Sequence, residues 1–228
     1  MKRIDDEKLI KTYIEFHGIR KYLDEKTLSK VMLFRSASGE FLFEQGDVVE
    51  YLYLMVKGRI KVSIINENGD SYVLRYMNRF TILGEAEAFS GELAQCSVET
   101  LRESDFLRIA VKDITNDCFE SPKFLKKIII SLSEKLRTFS SISYINSLYP
   151  VKKRLAIYLL SRYENSNCIK IGNIKKEIGD LLGITPRHLN RVISELVLEG
   201  ILSIDNSEII ISDKDSLKAI AGDERLEF

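Results

Sequence analysis

The sequence has few of the residues that build disulfide frameworks, metal clusters or disordered segments. Its 228 residues include only three cysteines, Cys96, Cys118 and Cys168, which are widely separated and form no C-x-x-C pair. This argues against a disulfide framework, zinc or an iron–sulfur cluster and favours buried, reduced thiols. Proline (3) and glycine (12) are too scarce for widespread disorder, and 45% hydrophobic residues suffice for a core. The chain is expected to fold throughout, as two domains by its length.

Long apolar runs, an export signal and catalytic motifs are also missing. No stretch approaches the roughly 20 apolar residues of a membrane span, and the N-terminal segment MKRIDDEKLIKTYIEF carries acids where a signal peptide is apolar. We therefore expect a cytoplasmic protein that does not engage a membrane. The absence of a P-loop, a nucleophile elbow, metal-ligand spacing or paired catalytic groups argues against an enzyme.

Positive charge shows no overall excess, because 34 Lys and Arg residues balance 34 Asp and Glu residues. It is nevertheless concentrated in one segment. Between Pro150 and Arg191 there are nine bases and three acids, whereas from Val192 to Phe228 there are three bases and nine acids. A basic segment can bind the phosphates of a nucleic acid. Taken alone, it could equally be a solvated face of scattered charges.

The apolar pattern changes twice along the chain. Residues 2–31 have the spacing of short helices. From Val31 to about Ala110, short alternating runs separated by glycine turns predict a compact antiparallel sandwich or barrel. Within it, Asn68-Gly69 predicts a tight hairpin, and Gly46 and Gly58 predict bends or bulges.

A long helix is predicted from Ser121-Pro122 to about Tyr149, where Pro150 ends or kinks it. It carries a heptad-like apolar stripe, Leu125, Ile129, Leu132, Leu136 and Phe139. A stripe on a helix that leaves its domain needs a partner, so we expect a homodimer interface. Packing on the chain's own barrel is the alternative, and Ile128, Ile142 and Ile145, which lie off the stripe, could face the barrel.

The segment from Lys175 to Leu196, KKEIGDLLGITPRHLNRVISEL, predicts a helix-turn-helix. Gly179 is small where the two helices approach, and Gly183 suits a left-handed turn. Thr185 can cap the second helix and Pro186 can begin it. The positions that face the shared core are apolar: Ile178, Leu182, Ile184, Leu189 and Val192.

The second helix of this motif would enter the major groove of DNA. Its outward face offers four side chains for base readout, Arg187, His188, Asn190 and Arg191, with Ser194 as a further candidate. Arginine pairs naturally with guanine and asparagine with adenine, while His188 could instead contact phosphate. Any of these residues could also be a solvated surface residue, and Glu195 or Glu199 could pair with Arg191.

A strand-turn-strand follows the second helix and is interpreted as a wing. It comprises residues 200–204 and 207–212, separated by Asp205-Asn206. Because the wing carries Asp205 and Glu208 and no base, we expect little affinity from it. Phosphate contacts are expected instead from Lys152, Lys153, Arg154, Lys175, Lys176 and Thr185.

These motifs together resemble the Crp/Fnr family, with EQGD (44–47), LYLMVKGRIKV (52–62), NENGD (66–70), ILGEAEAF (82–89), VKKRLA (151–156) and the helix-turn-helix. The stretch LGITPRHLNRVISEL also resembles the YeiL-type branch. The resemblance implies an α+β fold. An N-terminal antiparallel jelly-roll barrel of the cyclic-nucleotide-binding type (1–121) precedes a long dimerisation helix (122–149) and a C-terminal winged helix-turn-helix domain (150–228).

The resemblance also implies an effector pocket. In cyclic-AMP-binding members, a Gly-Glu pair contacts the ribose, and Gly84-Glu85 match it. An Arg-Ser pair that holds the phosphate aligns with Gln95-Cys96, and a Thr-Ser pair that contacts the base aligns with Phe139-Ser140. A neutral amide is a poor substitute for an arginine that binds an anion, so we expect an effector other than cyclic AMP, of unknown identity.

Other readings of these residues stay open. Gly84 could serve a tight turn, with Glu85 accepting backbone hydrogen bonds, and Cys96 could have a redox role. The cysteine group of iron–sulfur members is missing, and His17 is the one histidine outside the DNA-binding helix that could ligate haem. The sequence thus identifies no cofactor and no metal site.

The sequence thus predicts a sequence-specific DNA-binding transcription regulator that acts as a homodimer on a pseudo-palindromic operator of double-stranded DNA. RNA polymerase and a small-molecule effector are candidate partners. The alternative is a small-molecule-binding module whose winged helix mediates protein contacts rather than DNA binding.

Overall fold

The computed structural model describes residues 1–68, 71–117, 120–163, 168–170, 174–206, 208–224 and 226. Cys118 and the Gly69 half of the predicted hairpin lie outside these residues. The chain divides into two compact units, Met1–Lys135 and Leu136–Phe228. The helix Pro122–Leu148 runs across this boundary.

The first unit is built on antiparallel strands. Their bounds are β1 (Lys2–Ile4), β2 (Met32–Ser36), β3 (Phe41–Phe43), β4 (Tyr51–Ile65), β5 (Ser71–Met77), β6 (Thr81–Leu83) and β7 (Ser97–Ala110). The strands form one sheet in the order β1-β2-β7-β4-β5, with β3 paired to β7 and β6 paired to β4. The predicted jelly-roll barrel is confirmed.

The helices of this unit precede, interrupt and follow the strands, and the last of them continues into the second unit. They are α1 (Glu7–Phe16), α2 (Glu25–Leu28), α3 (Glu85–Ser90), α4 (Val111–Asp117) and α5 (Pro122–Leu148), with a short 3-10 turn at Ile19–Lys21. The helical spacing predicted for residues 2–31 is wrong at its start, because Lys2–Ile4 form β1. Lys2 lies opposite Arg35 and Ile4 opposite Leu33, so the free edge of β2 supplies hydrogen bonds that local spacing cannot reveal.

Gly58 allows β4 to bend in mid-strand, as predicted. Its φ is +127°, and a Cβ there would lie 2.0 Å from the Ser104 Oγ. The pairing of β4 with β7 shifts register on both sides of this glycine. Ser104 Oγ then accepts a hydrogen bond from the Arg59 backbone N–H at 3.1 Å. The long strands β4 and β7 therefore bend locally at this position.

One apolar cluster joins the N-terminal helices and the start of α5 to the sheet, with Ile19, Leu52 and Phe124 among its buried members. A second lies between the strands around Ile60 and Phe106. Ile128 belongs to the first cluster, as predicted for a residue off the heptad stripe. Ile142 and Ile145 are also buried, but they belong to the second unit.

A polar triad around the buried Asp105 ties α1 to the sheet. Asp105, on β7, accepts hydrogen bonds from Arg35 Nε at 2.7 Å and Arg35 Nη2 at 2.9 Å. Tyr13 OH donates to the same carboxylate at 2.7 Å. Burial alone would raise the pKa of Asp105, but the hydrogen bonds from Arg35 and Tyr13 outweigh it and hold this pKa below its usual range. Burial and the bond to Asp105 raise the pKa of Tyr13 to about 12.

The second unit contains the end of α5 and the predicted winged helix-turn-helix. Its further elements are α6 (Val151–Tyr163), β8 (Cys168–Lys170), α7 (Ile174–Leu182), α8 (Pro186–Leu198), β9 (Leu202–Asp205), β10 (Glu208–Ile211) and α9 (Lys214–Ala221). The small antiparallel sheet has the order β8-β10-β9. Five consecutive residues of α6, Leu155 to Leu159, are almost completely buried, so α6 is the central helix of this unit.

Within the described ranges, no helix combines the length and the apolar character needed to cross a membrane.

Candidate nucleic-acid interface

The helix-turn-helix is built around the core that its sequence predicts. Ile178 and Leu182 of α7 and Leu189 and Val192 of α8 are all buried, and Ile184 in the turn is half-buried. These side chains fix the two helices against each other, so the direction of α8 is determined by apolar packing.

The turn between the two helices depends on two glycines. A Cβ on Gly179 would lie 3.0 Å from the Ile184 carbonyl oxygen, and the Ile184 N–H donates to the Gly179 carbonyl at 2.9 Å. Gly183 has a φ of +61°, a left-handed conformation that glycine adopts without cost. Both predictions for these glycines are confirmed.

Thr185 ends the turn and caps α8. Its Oγ1 accepts a hydrogen bond from the His188 N–H at 3.3 Å, and its extended backbone leads into Pro186, the first residue of α8. This satisfies one of the free N–H groups at the helix start. The predicted cap and first position are both confirmed.

The outward face of α8 carries the side chains expected to read bases. Arg187, Asn190 and Arg191 are exposed, whereas His188 is half-buried. Arg191 Nη2 donates to His188 Nε2 at 2.9 Å, and Arg191 Nε lies 3.9 Å from a Glu195 oxygen. Glu195 is therefore the acid beside Arg191. Arg187 and Asn190 make no side-chain hydrogen bond or ion pair with any described residue.

The basic residues predicted to contact phosphate differ in their contacts and in their exposure. Lys152 Nζ contacts the two Glu199 carboxylate oxygens at 2.6 and 2.7 Å. Lys153 Nζ lies 3.8 Å from the centre of the Tyr149 ring. Lys176 is exposed and Lys175 is half-buried. Lys153, Lys175 and Lys176 form no ion pair with a carboxylate of the described residues, so they can meet an anion without first breaking one.

Arg154 has a structural role that the sequence does not reveal. Its Nη1 donates to the Leu182 carbonyl at 2.7 Å and lies 3.4 Å from the Asn146 carbonyl. Asn146 Nδ2 donates to the Leu181 carbonyl at 2.8 Å. These bonds tie the end of α5 and the start of α6 to the carbonyl end of α7, where helix carbonyls lack internal partners.

The connection between α5 and α6 is further held from the C-terminal segment. Tyr149 OH donates to Glu224 Oε1 at 2.6 Å and lies 3.2 Å from Tyr144 OH. The bond to Glu224 is the main cause that raises the pKa of Tyr149. Pro150 then separates the two helices, which confirms the predicted end of the long helix.

The wing consists of β9 and β10, joined at Asn206, which has a φ of +44°. It carries Asp205 and Glu208 in facing register. Two acids that face each other across the wing would repel phosphate, which supports the expectation that the wing adds little DNA affinity.

The residues predicted to line an effector pocket lie in both units. In the first unit, Gly84 has a φ of +81°, and a Cβ there would lie 2.9 Å from both the Tyr51 carbonyl oxygen and Val49 Cγ1. Gly84 therefore serves a tight turn. Phe139 and Ser140 belong to the second unit and are exposed.

Glu85 is buried and is held by side chains from α5. Lys135 Nζ forms an ion pair with its carboxylate, and Ser131 Oγ donates to Glu85 Oε1 at 3.1 Å. Helix α5 thus brings a charged donor and a hydroxyl donor to this carboxylate.

Gln95 and Cys96 stand where the resemblance places a phosphate clamp. Gln95 is exposed, and its Nε2 donates to the Leu93 carbonyl at 3.3 Å. Burial, followed by the charge of Glu87, raises the pKa of Cys96 to about 11. Its thiol thus stays protonated at neutral pH, which disfavours redox chemistry.

His17 is used in packing. Its Nε2 donates to the Val56 carbonyl at 2.9 Å, and its ring stacks on Phe80 with a centroid distance of 4.8 Å. Among the described residues, no group of three or more His, Cys, Asp or Glu side chains is arranged to hold a metal ion.

Two family models match consecutive parts of the chain. The cyclic nucleotide-binding domain matches residues 34–120, and the Crp-like helix-turn-helix domain matches residues 153–220. Curated relatives include the transcriptional activator protein Anr of Pseudomonas protegens, 22% identical over 81% of this chain and 78% of that protein. The regulatory protein YeiL of Escherichia coli O157:H7 is 22% identical over 83% of this chain and 85% of that protein. Because these identities are equal, they support the family and not one branch of it.

Solved structures share the fold. FixK2 of Bradyrhizobium japonicum superposes with a TM-score of 0.70 at 16% identity, over 84% of this chain and 98% of that one. A CooA mutant of Carboxydothermus hydrogenoformans superposes with a TM-score of 0.72 at 15% identity, over 90% and 94%.

A barrel of the cyclic-nucleotide-binding type followed by a Crp-like helix-turn-helix defines the class of protein as a two-domain transcription regulator. The chain belongs to the Crp/Fnr family.

Proposed function

We propose that this regulator binds specific sequences of double-stranded DNA through α8. The exposed face of α8 carries the proposal. Arg187, Asn190 and Arg191 project from a helix whose opposite face is buried, and these side chains match the edges of guanine and adenine in the major groove. The match of residues 153–220 to the Crp-like helix-turn-helix domain supports DNA binding over a winged helix that mediates protein contacts.

Phosphate contacts would come from basic side chains of α6 and α7. Lys153, Lys175 and Lys176 are the first candidates, with Thr185 at the start of α8. Lys152 can join them once it leaves Glu199. Such contacts give affinity and fix the protein on the duplex without reading its sequence.

We infer that the protein acts as a homodimer through α5. Ile129, Leu136 and Phe139 are 62%, 67% and 46% exposed, whereas Leu125 and Leu132 of the same stripe are half-buried. Large apolar side chains repeated along one helix face match the seam of a two-helix coiled coil. Two copies would place two α8 helices about 34 Å apart, on the half-sites of a pseudo-palindrome.

We further propose that cyclic AMP is not the effector. The Gln95 amide offers no positive charge to a phosphodiester, and the carboxylate of Glu85 is already engaged by Lys135. A charge-assisted bond contributes about 1.5–3 kcal/mol, so its loss weakens anion binding strongly. The proposed role places the protein in the cytoplasm with bacterial DNA, and RNA polymerase is a candidate partner of the bound dimer.

The test combines native mass spectrometry with selection of duplexes from a random library. We expect the mass of a dimer, and selected duplexes with an inverted repeat whose half-sites are centred about 10 base pairs apart. Added cyclic AMP should leave the affinity unchanged. A Leu136→Glu variant should be monomeric and bind weakly, whereas Lys126→Glu, an exposed position on the same helix, should remain dimeric. Selection of no duplex by the wild-type protein would contradict the proposed function.

A further inference from the structure

A buried charge joins α5 to the barrel. Glu85, only 1% exposed, is the first residue of α3, and both of its side-chain partners come from α5. Ser131 and Lys135 are four residues apart, so they lie one turn apart on the same face of α5. An unpaired carboxylate here would be strongly unfavourable. Correct placement of α5 on α3 is therefore a condition for a stable barrel.

Further bonds converge on the same turn of α5. Lys135 Nζ donates to the Ile82 carbonyl on β6 at 2.6 Å. Arg75 Nη2, on β5, donates to the Lys135 backbone carbonyl at 2.7 Å. Strands β5 and β6 and helix α3 thus all hold α5 at the residue where the first unit ends. We call Arg75, Glu85, Ser131 and Lys135 the barrel–helix cluster.

This cluster makes contacts of the kind that an effector would have to make. A ligand can shift a conformational equilibrium only by binding one arrangement better than another, and a ligand between barrel and helix does so by contacting both. Here the chain's own side chains supply those contacts. The ammonium of Lys135 also occupies the buried acceptor, Glu85, that a ligand hydroxyl would otherwise reach.

We propose that the barrel–helix cluster replaces a bound effector, so that the ligand-free protein is already competent to bind DNA. Lys135 is then a positioning residue that acts through α5. This inference rests on the proposed function, because its readout is DNA affinity.

The experiment uses the full chain, shown by native mass spectrometry to carry no small molecule, and the duplexes that the wild-type protein selects. Lys135→Met should weaken binding to these duplexes by about tenfold or more, within the range of known coupling between sites. Lys135→Arg should restore most of the affinity because it keeps the charge. Lys126→Met, at an exposed position of α5, should bind like the wild type. Ser131→Ala, which removes one neutral donor, provides a milder variant if Lys135→Met does not fold.

Each outcome has a distinct meaning. Equal affinity of the wild type and a folded, dimeric Lys135→Met variant would overturn the inference and leave the proposed function intact. Selection of a duplex by the wild-type protein only after small molecules from a cell extract are added would also overturn the inference and leave the proposed function intact. Selection of no duplex under either condition would instead refute the proposed function.

Discussion

A Glu199→Gln substitution should strengthen DNA binding. In the structure Lys152 Nζ contacts both carboxylate oxygens of Glu199, so this base is neutralised within the protein. A neutral amide cannot hold the ammonium in the same way. Lys152 would then join the phosphate-binding group on α6 and α7.

The expected size follows from counterion release. Each phosphate neutralised by a lysine changes the slope of log K against log salt by about −0.9. A homodimer carries two copies of Lys152, so the slope should become steeper by about 1.8. If the variant and the wild type bind equally at 1 M salt, the variant should bind about eightfold more tightly per protomer at 0.1 M salt. The folding cost is small, because Lys152 and Glu199 are 34% and 45% exposed and exposed pairs contribute about 0–1 kcal/mol.

Fluorescence anisotropy with a selected duplex, from about 50 to about 200 mM salt, measures this slope. The double variant Glu199→Gln/Lys152→Met should return to the wild-type slope, and Lys152→Met alone should leave that slope unchanged. An unchanged slope in Glu199→Gln would contradict the release of Lys152 to a DNA phosphate. So would a shallower slope in Lys152→Met, because Lys152 would then already contact phosphate in the wild type.

Three further substitutions test the fold that carries the site. Asp105→Asn, which removes the buried carboxylate that accepts hydrogen bonds from Arg35 and Tyr13, should lower the free energy of unfolding by about 1–3 kcal/mol at pH 7 in urea titrations. Because the folded pKa of Asp105 is depressed, its contribution is complete above the unfolded pKa and is lost as pH falls through the folded pKa. Wild type and variant should therefore begin to converge below about pH 4. Gly84→Ala should cost about 2–4 kcal/mol in thermal unfolding, because its Cβ would meet the Tyr51 carbonyl at 2.9 Å. Thr185→Ala should cost about 1 kcal/mol by loss of the cap, and Thr185→Ser should restore it.

The helix-turn-helix could be predicted residue by residue because its constraints are local. The close approach at Gly179, the left-handed turn at Gly183 and the cap at Thr185 all arise within a few residues of each other. Each has a specific chemical requirement that few residue types satisfy. The same applies to the start of α5 at Pro122 and to the bend at Gly58.

The polar pairs of the site could not be predicted, because they join residues far apart in sequence. Glu85 and Lys135 are separated by 50 positions, and Lys152 and Glu199 by 47. Both lysines lie among other charged residues, so nothing local distinguishes a buried partner from a solvated one. The strand Lys2–Ile4 could not be predicted for the same reason, because it forms by pairing with the distant strand β2.

If α8 reads DNA, Arg187→Ala and Arg191→Ala should change both the affinity for a selected duplex and the base preference. Each substitution should cost about 1–3 kcal/mol and relax the base preference at one position of each half-site. Lys218→Ala, at an exposed position of α9 in the same unit, should bind like the wild type. Unchanged affinity together with unchanged base preference in both arginine variants would show that α8 does not read the base sequence.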